Sequence, residues 1–288
     1  MSLITVGEVI DRSWHHYTKH FVELMSVAAW LLIVAILNTL ATWLYPQMNY
    51  GIPTDLSGID LFSVILYAVN FLLIAPVVSI WVFNTTVLLI DRESQNGQIR
   101  LKELGRKGWK KFFPRVLVGI LGILCVASPI LLVLPGALLS FAATTIVPGL
   151  GVIATILFVF GIFAATAGMI FLLIRLIFSA YELLLNDQHG RKALRASWKL
   201  TADRWWPVFW RVVLPKVIFF FGMFTVQLFL TFLLRMLATN VAGLNFELGV
   251  RIYTIGSGLI FILLGALLNP LVLTSDYLVY KSLKEERS

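Results

Sequence analysis

The chain contains runs of uncharged, mostly apolar residues that are too long for a soluble domain. A helix crosses a bilayer with about 20 apolar residues, so each run can supply at least one span. Only 13% of the residues are charged, whereas soluble domains have about 25%. The sequence therefore predicts an integral membrane protein. The runs are Leu24 to Thr54, Leu61 to Ile90, Val116 to Ile174, Val217 to Leu234 and Ile252 to Ser275.

The third run is far longer than the about 20 residues that one span needs, and it contains a natural break. Pro148, Gly149 and Gly151 lie within four residues of one another, and proline and glycine are poor residues for a helix interior. We therefore expect two spans from this run, one on each side of the break. The predicted fold is all-α, with six transmembrane helices.

A short basic stretch with one tryptophan precedes each pair of predicted spans. The tryptophan follows a small residue in all three stretches, as Ser13-Trp14, Gly108-Trp109 and Ser197-Trp198. This register indicates a threefold internal repeat of one amphipathic helix and two spans. The repeat units would cover residues 1–95, 96–188 and 189–288 and form one membrane domain.

Apolar and basic residues alternate with helical periodicity in these stretches, which predicts helices lying along the membrane surface. Tryptophan is typical of the apolar boundary, and each basic residue near the surface attracts anionic lipid by about 1 kcal/mol. We therefore expect membrane lipids, chiefly anionic ones, as partners, and a membrane protein is a further candidate partner. The predicted lipid contacts are Trp14, Arg106, Lys107, Trp109, Lys110, Lys111, Arg195, Trp198 and Lys199.

A basic run with aromatic residues can also indicate a nucleic-acid site. The segment from Arg100 to Arg115 has seven basic residues and one acid, Glu103, which would suffice for phosphate contacts. The run lies between predicted spans, where positive charge is expected for topology and lipid binding. We therefore predict no nucleic-acid partner.

The distribution of lysine and arginine predicts the orientation of the chain, because cytoplasmic loops carry the excess of positive residues. The predicted outer loops at 46–60 and 142–151 contain neither residue, and the third contains only Arg235 and Arg251. The opposite loops hold most of the positive charge. Both termini are therefore expected on the cytoplasmic side.

Three segments resemble a known family. They are the opening Gly7 to Trp14, the triplet Leu134-Pro135-Gly136, and the stretch RLIFSAYELLLNDQHGRKALRASWKLTADRWW from Arg175 to Trp206. Together they resemble uncharacterised bacterial polytopic proteins, namely YciC-type inner-membrane proteins and the membrane domain fused to some glycerophosphodiester phosphodiesterases. The resemblance implies six spans with interfacial helices in the bacterial cytoplasmic membrane. It implies no established activity and no catalytic residues.

Ionisable residues inside the predicted spans are the candidate site, because such residues are costly in a bilayer and often functional. They are Arg175, Glu182, Lys216 and Asp276. Arg175 and Glu182 are seven residues apart, which predicts one face of the fourth helix. The four could form a cluster that binds a headgroup or gates a path. Alternatively, they lie near the interface and pair to hold the helices together.

Metal and catalytic motifs give weaker signals. His16, His20 and Glu23 have a spacing that can place three ligands on one helix face, but no cysteine or second carboxylate completes the site. We therefore predict no metal and no cofactor. The sequence has no phosphate-binding glycine loop and no nucleophile motif, so we do not expect an enzyme.

Two functions remain open at this point. The first is a non-enzymatic scaffold or regulator of the cell envelope, with surface helices in contact with anionic lipid. The second is a transporter or lipid-handling protein with a cavity near the cytoplasmic half of the bilayer, since internal repeats are common among transporters.

Overall fold

The fold is known from a computed structural model that describes residues 3–44, 57–95, 97, 100–145 and 148–286. All the regular structure of these residues is helical, which agrees with the predicted all-α class. The α-helices are α1 Val6–Lys19, α2 Phe21–Ala28, α3 Leu31–Leu44, α4 Gly58–Val69, α5 Ala75–Ser94, α6 Leu101–Lys110, α7 Phe112–Ala127, α8 Leu134–Thr145, α9 Gly151–Leu176, α10 Ser179–Asn186, α11 Arg191–Leu200, α12 Trp205–Ala242 and α13 Phe246–Glu285.

Five helical stretches in the described residues are long and apolar enough to cross a membrane. A sixth span results if α2 and α3, which are bent by 42° at their junction, are counted as one span. The structure thus supports five or six spans, and the predicted number of six depends on this bent pair. The five stretches are Gly58–Ser94, Phe112–Thr144, Gly151–Asn186, Trp205–Ala242 and Phe246–Glu285.

The chain divides into two compact units, which we describe separately. The first comprises residues 1–112 and 210–286, and the second comprises residues 113–209. In the first unit α1 packs along α13, where Val9, Ser13 and Tyr17 are buried. The Tyr17 hydroxyl donates a hydrogen bond to the Leu267 carbonyl at 3.1 Å. The surface-type helix at the N-terminus is therefore fixed to the last long helix.

The helix α6 packs on α5 in the same unit through two side chains of the span. The indole of Trp81 donates to the Gly105 carbonyl at 3.0 Å, and the Asn84 amide donates to the Gly108 carbonyl at 3.1 Å. A Cβ on Gly108 would lie 2.5 Å from the Thr85 hydroxyl, so only glycine allows this approach without a shift. The small residue before Trp109 is thus explained by close packing.

A π-helical segment, Asn70–Ile74, joins α4 to α5. It immediately precedes Ala75 and Pro76, and a proline has no amide hydrogen to continue the regular hydrogen-bond ladder. The side chain of Asn70 donates to the Val34 carbonyl at 3.1 Å, which ties this irregular segment to α3. The regular α-helical geometry of this span is therefore interrupted just before Pro76.

The second unit contains a tightly packed helical hairpin. Its first arm is the 3₁₀ segment Ser128–Val133 followed by α8, and its second arm is α9. A Cβ on Gly136 would meet the backbone of Phe158, and one on Gly161 would lie 2.7 Å from the Leu132 carbonyl oxygen. The arms approach closely because these positions lack side chains. A 3₁₀ turn, Pro148–Leu150, joins the arms at the predicted break.

Two prolines occupy equivalent positions at the start of long helices. Pro114 is the third residue of α7, and Pro207 is the third residue of α12. A proline costs little in a first turn, where its missing amide hydrogen would have no helical partner.

At the N-terminus of α1, the Thr5 amide and hydroxyl both donate to Glu8 and lower the pKa of that carboxyl group.

Candidate functional site

Two of the four candidate residues, Lys216 and Asp276, form an ion pair in the first unit. The Nζ atom of Lys216 on α12 lies 2.9 Å from Oδ1 of Asp276 on α13. The side chains are only 23% and 10% exposed, so the pair is largely withdrawn from solvent. This contact agrees with the simpler of the two interpretations, in which the ionisable residues pair and hold helices together.

Arg175 lies near the end of α9 in the second unit and faces aromatic rings. Its guanidinium carbon is 5.2 Å from the centre of the Phe171 ring and 5.1 Å from that of Trp198. Its backbone carbonyl accepts a hydrogen bond from the Ser197 hydroxyl at 2.8 Å. This bond supplies a partner for a carbonyl in the last turn of α9, where the helix itself provides none.

Glu182 is buried in α10, where one of its carboxylate oxygens accepts a hydrogen bond from the Asn186 side chain at 3.0 Å. We predicted that Arg175 and Glu182 share a face of one helix. The structure corrects this detail, because α9 ends at Leu176 and α10 begins at Ser179. The helix is interrupted between the two residues, so the seven-residue spacing does not determine their relative direction.

The predicted lipid-contact residues lie on α1, α6 and α11, each of which buries one face, except Lys111, which directly follows α6. The residue before the tryptophan, Ser13, Gly108 or Ser197, is buried in every case. The tryptophans themselves are exposed by 55%, 54% and 40% at positions 14, 109 and 198. The basic residues of the set are also exposed, apart from Lys111, which is partly buried. These side chains are therefore available for contact with lipid.

An open groove of about 710 Å³ lies beside α11 in the second unit. Five leucine side chains of α7, α9 and α11 line it together with Cys125 and Ser128, and Arg191, Arg195 and Trp198 of α11 complete the lining. The groove therefore combines an apolar surface with two guanidinium groups and an indole. Arg195 and Trp198 were predicted as lipid contacts, whereas Arg191 was not among the selected residues.

A second open groove, of about 770 Å³, lies in the first unit along α12 and α13. Its lining is apolar and aromatic, with the polar exceptions Lys216, Gln227 and Asn269. One member of the ion pair is therefore also a wall of this groove.

Glu93 was not among the residues selected from the sequence, although it lies beside two histidines in the structure. The structure places His16 and His20 beside Glu93 of α5, and not in a group with Glu23. Glu93 lies at the end of an apolar run, next to a polar segment. An acidic residue is ordinary at such a position, so the sequence alone does not single it out. Only the packing of the N-terminal helix pair on α5 reveals the relation.

Residues 151–287 match the family described as the membrane domain of glycerophosphoryl diester phosphodiesterase. The match covers α9 to α13 and includes all four ionisable candidates and the arginines of the α11 groove. It relates this part of the chain to that family of membrane domains, as the resemblance implied. No curated protein and no solved structure matches the chain. The chain is a membrane protein with several apolar helices.

Proposed function

We propose that this protein is a non-enzymatic scaffold or regulator of the cell envelope, and that it holds anionic phospholipid against its basic helices. The observation that carries the proposal is the α11 groove, with leucine walls and the side chains of Arg191, Arg195 and Trp198. The lipid would be a structural partner, and the protein would present it, or respond to it, at the membrane surface.

The chemistry of the groove favours a phospholipid over a soluble anion. Leucine side chains provide a surface for acyl chains, and guanidinium groups form strong, often bidentate, hydrogen bonds with phosphate oxygens. Tryptophan is enriched where hydrocarbon meets the headgroup layer. An amphiphile with a negative headgroup uses all three features at once, whereas a free phosphate would use only the arginines.

The location forms part of the same proposal. The positive residues near the span ends favour a cytoplasmic position for both termini, and the family resemblance favours the bacterial cytoplasmic membrane. The stretch from Arg175 to Trp206 also supports a relation to YciC-type inner-membrane proteins. The threefold repeat is supported by the buried small residue before each tryptophan.

The test compares the full chain with the double variant Arg191→Gln/Arg195→Gln in vesicles of phosphatidylcholine with a small fraction of spin-labelled lipid. Electron paramagnetic resonance measures the immobilised fraction of labelled phosphatidylglycerol and of labelled phosphatidylcholine. We expect the unchanged protein to prefer phosphatidylglycerol, and we expect the double variant to lose most of this preference.

The matched control is Arg191→Lys/Arg195→Lys, which keeps both charges on the same helix. It should retain a large part of the preference, since only the bidentate geometry is lost. Equal immobilisation of both labelled lipids by the unchanged protein would contradict the proposal. An unaltered preference in the glutamine variant would show that the anionic lipid does not bind at this groove.

A transporter or lipid-handling protein is the second candidate, and the groove along α12 and α13 favours it. That groove is apolar over most of its length and includes Lys216, which pairs with Asp276. The unchanged protein should then transfer a fluorescent phospholipid between leaflets in proteoliposomes, and Gln227→Leu, which alters the groove wall but leaves the Lys216–Asp276 pair intact, should slow this transfer. The absence of any transfer above protein-free vesicles would leave the scaffold role as the supported one.

A further inference from the structure

Three side chains that can bind a metal ion meet where α1 joins α2 and packs near the end of α5. The Nε2 atom of His16 lies 2.8 Å from Oε2 of Glu93, and Nδ1 of His20 lies 3.7 Å from Oε1 of Glu93. One potential ligand atom from each residue lies within 4.8 Å of the other two. The histidines are four residues apart, so both project to the same side of the helix junction.

The carboxylate of this group is unusually placed for a charged side chain. The Glu93 side chain is 0% exposed, while His16 and His20 are 18% and 20% exposed. Three atoms of this group have no well-aligned hydrogen-bond partner among the described residues. They are both carboxylate oxygens of Glu93 and the Nε2 atom of His16. A buried carboxylate is costly unless it is paired or coordinates a metal ion, and here its two oxygens face ring nitrogens of two imidazoles.

The separations between these atoms suit a small transition-metal ion. Zinc binds imidazole nitrogen and carboxylate oxygen at about 2.0–2.2 Å, so neighbouring ligands of a tetrahedral ion lie about 3.3–3.6 Å apart. The shortest separation here, 2.8 Å, is below that range, and the 3.7 Å separation is just above it. These two distances involve different oxygens of Glu93, and binding would draw together one ligand atom from each residue, which now lie within 4.8 Å of one another.

The donor set also narrows the kind of metal. Two imidazoles and one carboxylate match zinc and its transition-metal neighbours, whereas calcium and magnesium prefer oxygen ligands alone. Three protein ligands leave a fourth tetrahedral position for water. The two histidines are partly exposed, which gives an ion a path to the group.

We propose that His16, His20 and Glu93 form a binding site for one zinc-class divalent ion. The ion would link the N-terminal helix pair to the end of the long apolar stretch Gly58–Ser94. Occupancy would then control how firmly the N-terminal helix is attached to that stretch. This inference revises the expectation from sequence that the chain has no metal site, and it does not depend on the lipid proposal.

The test uses the full untagged chain in detergent, stripped of metal by a chelator and then dialysed. Isothermal titration with Zn²⁺ gives stoichiometry and affinity, and Co²⁺ absorption in the visible range reports tetrahedral coordination. We expect one ion per chain, with a rise in thermal stability. The variants His16→Ala, His20→Ala and Glu93→Gln should each weaken binding by more than the roughly 10–100-fold typical of losing a group outside the ligand set.

Two matched controls identify the ligands. His15→Ala removes an exposed neighbouring histidine, and Glu23→Gln removes the acid that sequence spacing alone had suggested. Both should bind Zn²⁺ as the unchanged protein does. Because Glu93→Gln could impair folding, the polar double variant His16→Gln/His20→Gln is tested beside it, with circular dichroism and gel filtration confirming the fold. Weak binding of several ions, unaffected by the double variant, would overturn the proposal, as would loss of binding in Glu23→Gln with retention in Glu93→Gln.

Discussion

The Lys216–Asp276 pair shows how single charges are accommodated within long apolar helices. Both side chains are mostly buried and lie 2.9 Å apart, so each neutralises the other. Removing one partner from a buried pair leaves an uncompensated charge, whereas replacing both with apolar residues is often tolerated. The pair therefore helps to hold α12 against α13.

A double-mutant cycle tests this account of the pair. We expect Lys216→Met and Asp276→Leu each to destabilise the protein, by roughly 3 kcal/mol, because one buried charge then lacks its partner. The double variant should recover much of that loss. Thermal unfolding in detergent, followed by circular dichroism, measures all four proteins. Additive losses in the double variant would mean that the two side chains do not interact in the folded protein.

Residue-scale prediction from the sequence had a clear physical limit. A charge within an apolar run is conspicuous, so Arg175, Glu182, Lys216 and Asp276 could be selected without a structure. Their partners could not be, because pairing depends on which helices meet. Glu93 was missed for the same reason, since it contacts residues more than seventy positions earlier in the chain.

At the scale of helices, the small residue before each tryptophan is explained by close packing. Ser13 and Ser197 are buried, and Gly108 lies directly against Thr85 of α5. The tryptophan that follows is exposed in all three helices. The sequence pattern of a small residue followed by tryptophan thus marks the boundary between the packed face and the exposed face.

The substitution Gly108→Ala should destabilise the protein by about 1–3 kcal/mol, because the new Cβ would overlap the Thr85 hydroxyl. The matched control is Gly7→Ala in α1, where a Cβ meets nothing within 4 Å. That change should be neutral or slightly stabilising, since alanine is the better helix former. Thermal unfolding of both variants provides the comparison. Equal stability of the two would show that α6 can move away from α5 without cost.

The charges of α6 should contribute to lipid selection independently of the α11 groove. The triple variant Lys107→Gln/Lys110→Gln/Lys111→Gln should reduce the preference for labelled phosphatidylglycerol at low salt. The difference should shrink as salt rises, because exposed charges are screened. The control Lys107→Arg/Lys110→Arg/Lys111→Arg should keep the preference. A lipid preference that does not change in the glutamine variant at any salt concentration would exclude a role for these lysines.

Helix positions were largely predictable, whereas the interruptions within them were only partly so. Apolar runs located the long helices, and Pro148 with its neighbouring glycines located the turn before α9. The break at Ile177 and Phe178 carries no proline or glycine, so nothing in the local sequence marks it. Beyond this break, α10 packs closely on α11 in the second unit, a contact between separate helices that the local sequence does not show.

At the scale of the whole molecule, the decisive question is whether α2 and α3 together cross the membrane. Six spans would place both termini on one side, and five would place them on opposite sides. The bend of 42° allows either arrangement. Charge distribution favours six, because the predicted outer loops contain few lysine and arginine residues.

Single cysteines in a Cys125→Ser background test this topology with a membrane-impermeant maleimide applied to intact cells. We expect labelling of Gln47→Cys and Leu244→Cys from outside, and labelling of Asp11→Cys only after the membrane is opened. Leu244 is 92% exposed, which makes it a suitable reference for the outer side. Labelling of Asp11→Cys and Gln47→Cys from the same side would mean that the α2–α3 pair enters and leaves without crossing.

The central claim, that the protein holds anionic lipid at its basic helices, is tested most directly by native mass spectrometry. The full chain is released from its own membranes in mild detergent, and bound lipids and proteins are identified together. The account predicts an anionic phospholipid retained at a defined stoichiometry and lost in Arg191→Gln/Arg195→Gln. A chain that carries only zwitterionic lipid, or the same lipids with and without the two arginines, would contradict it.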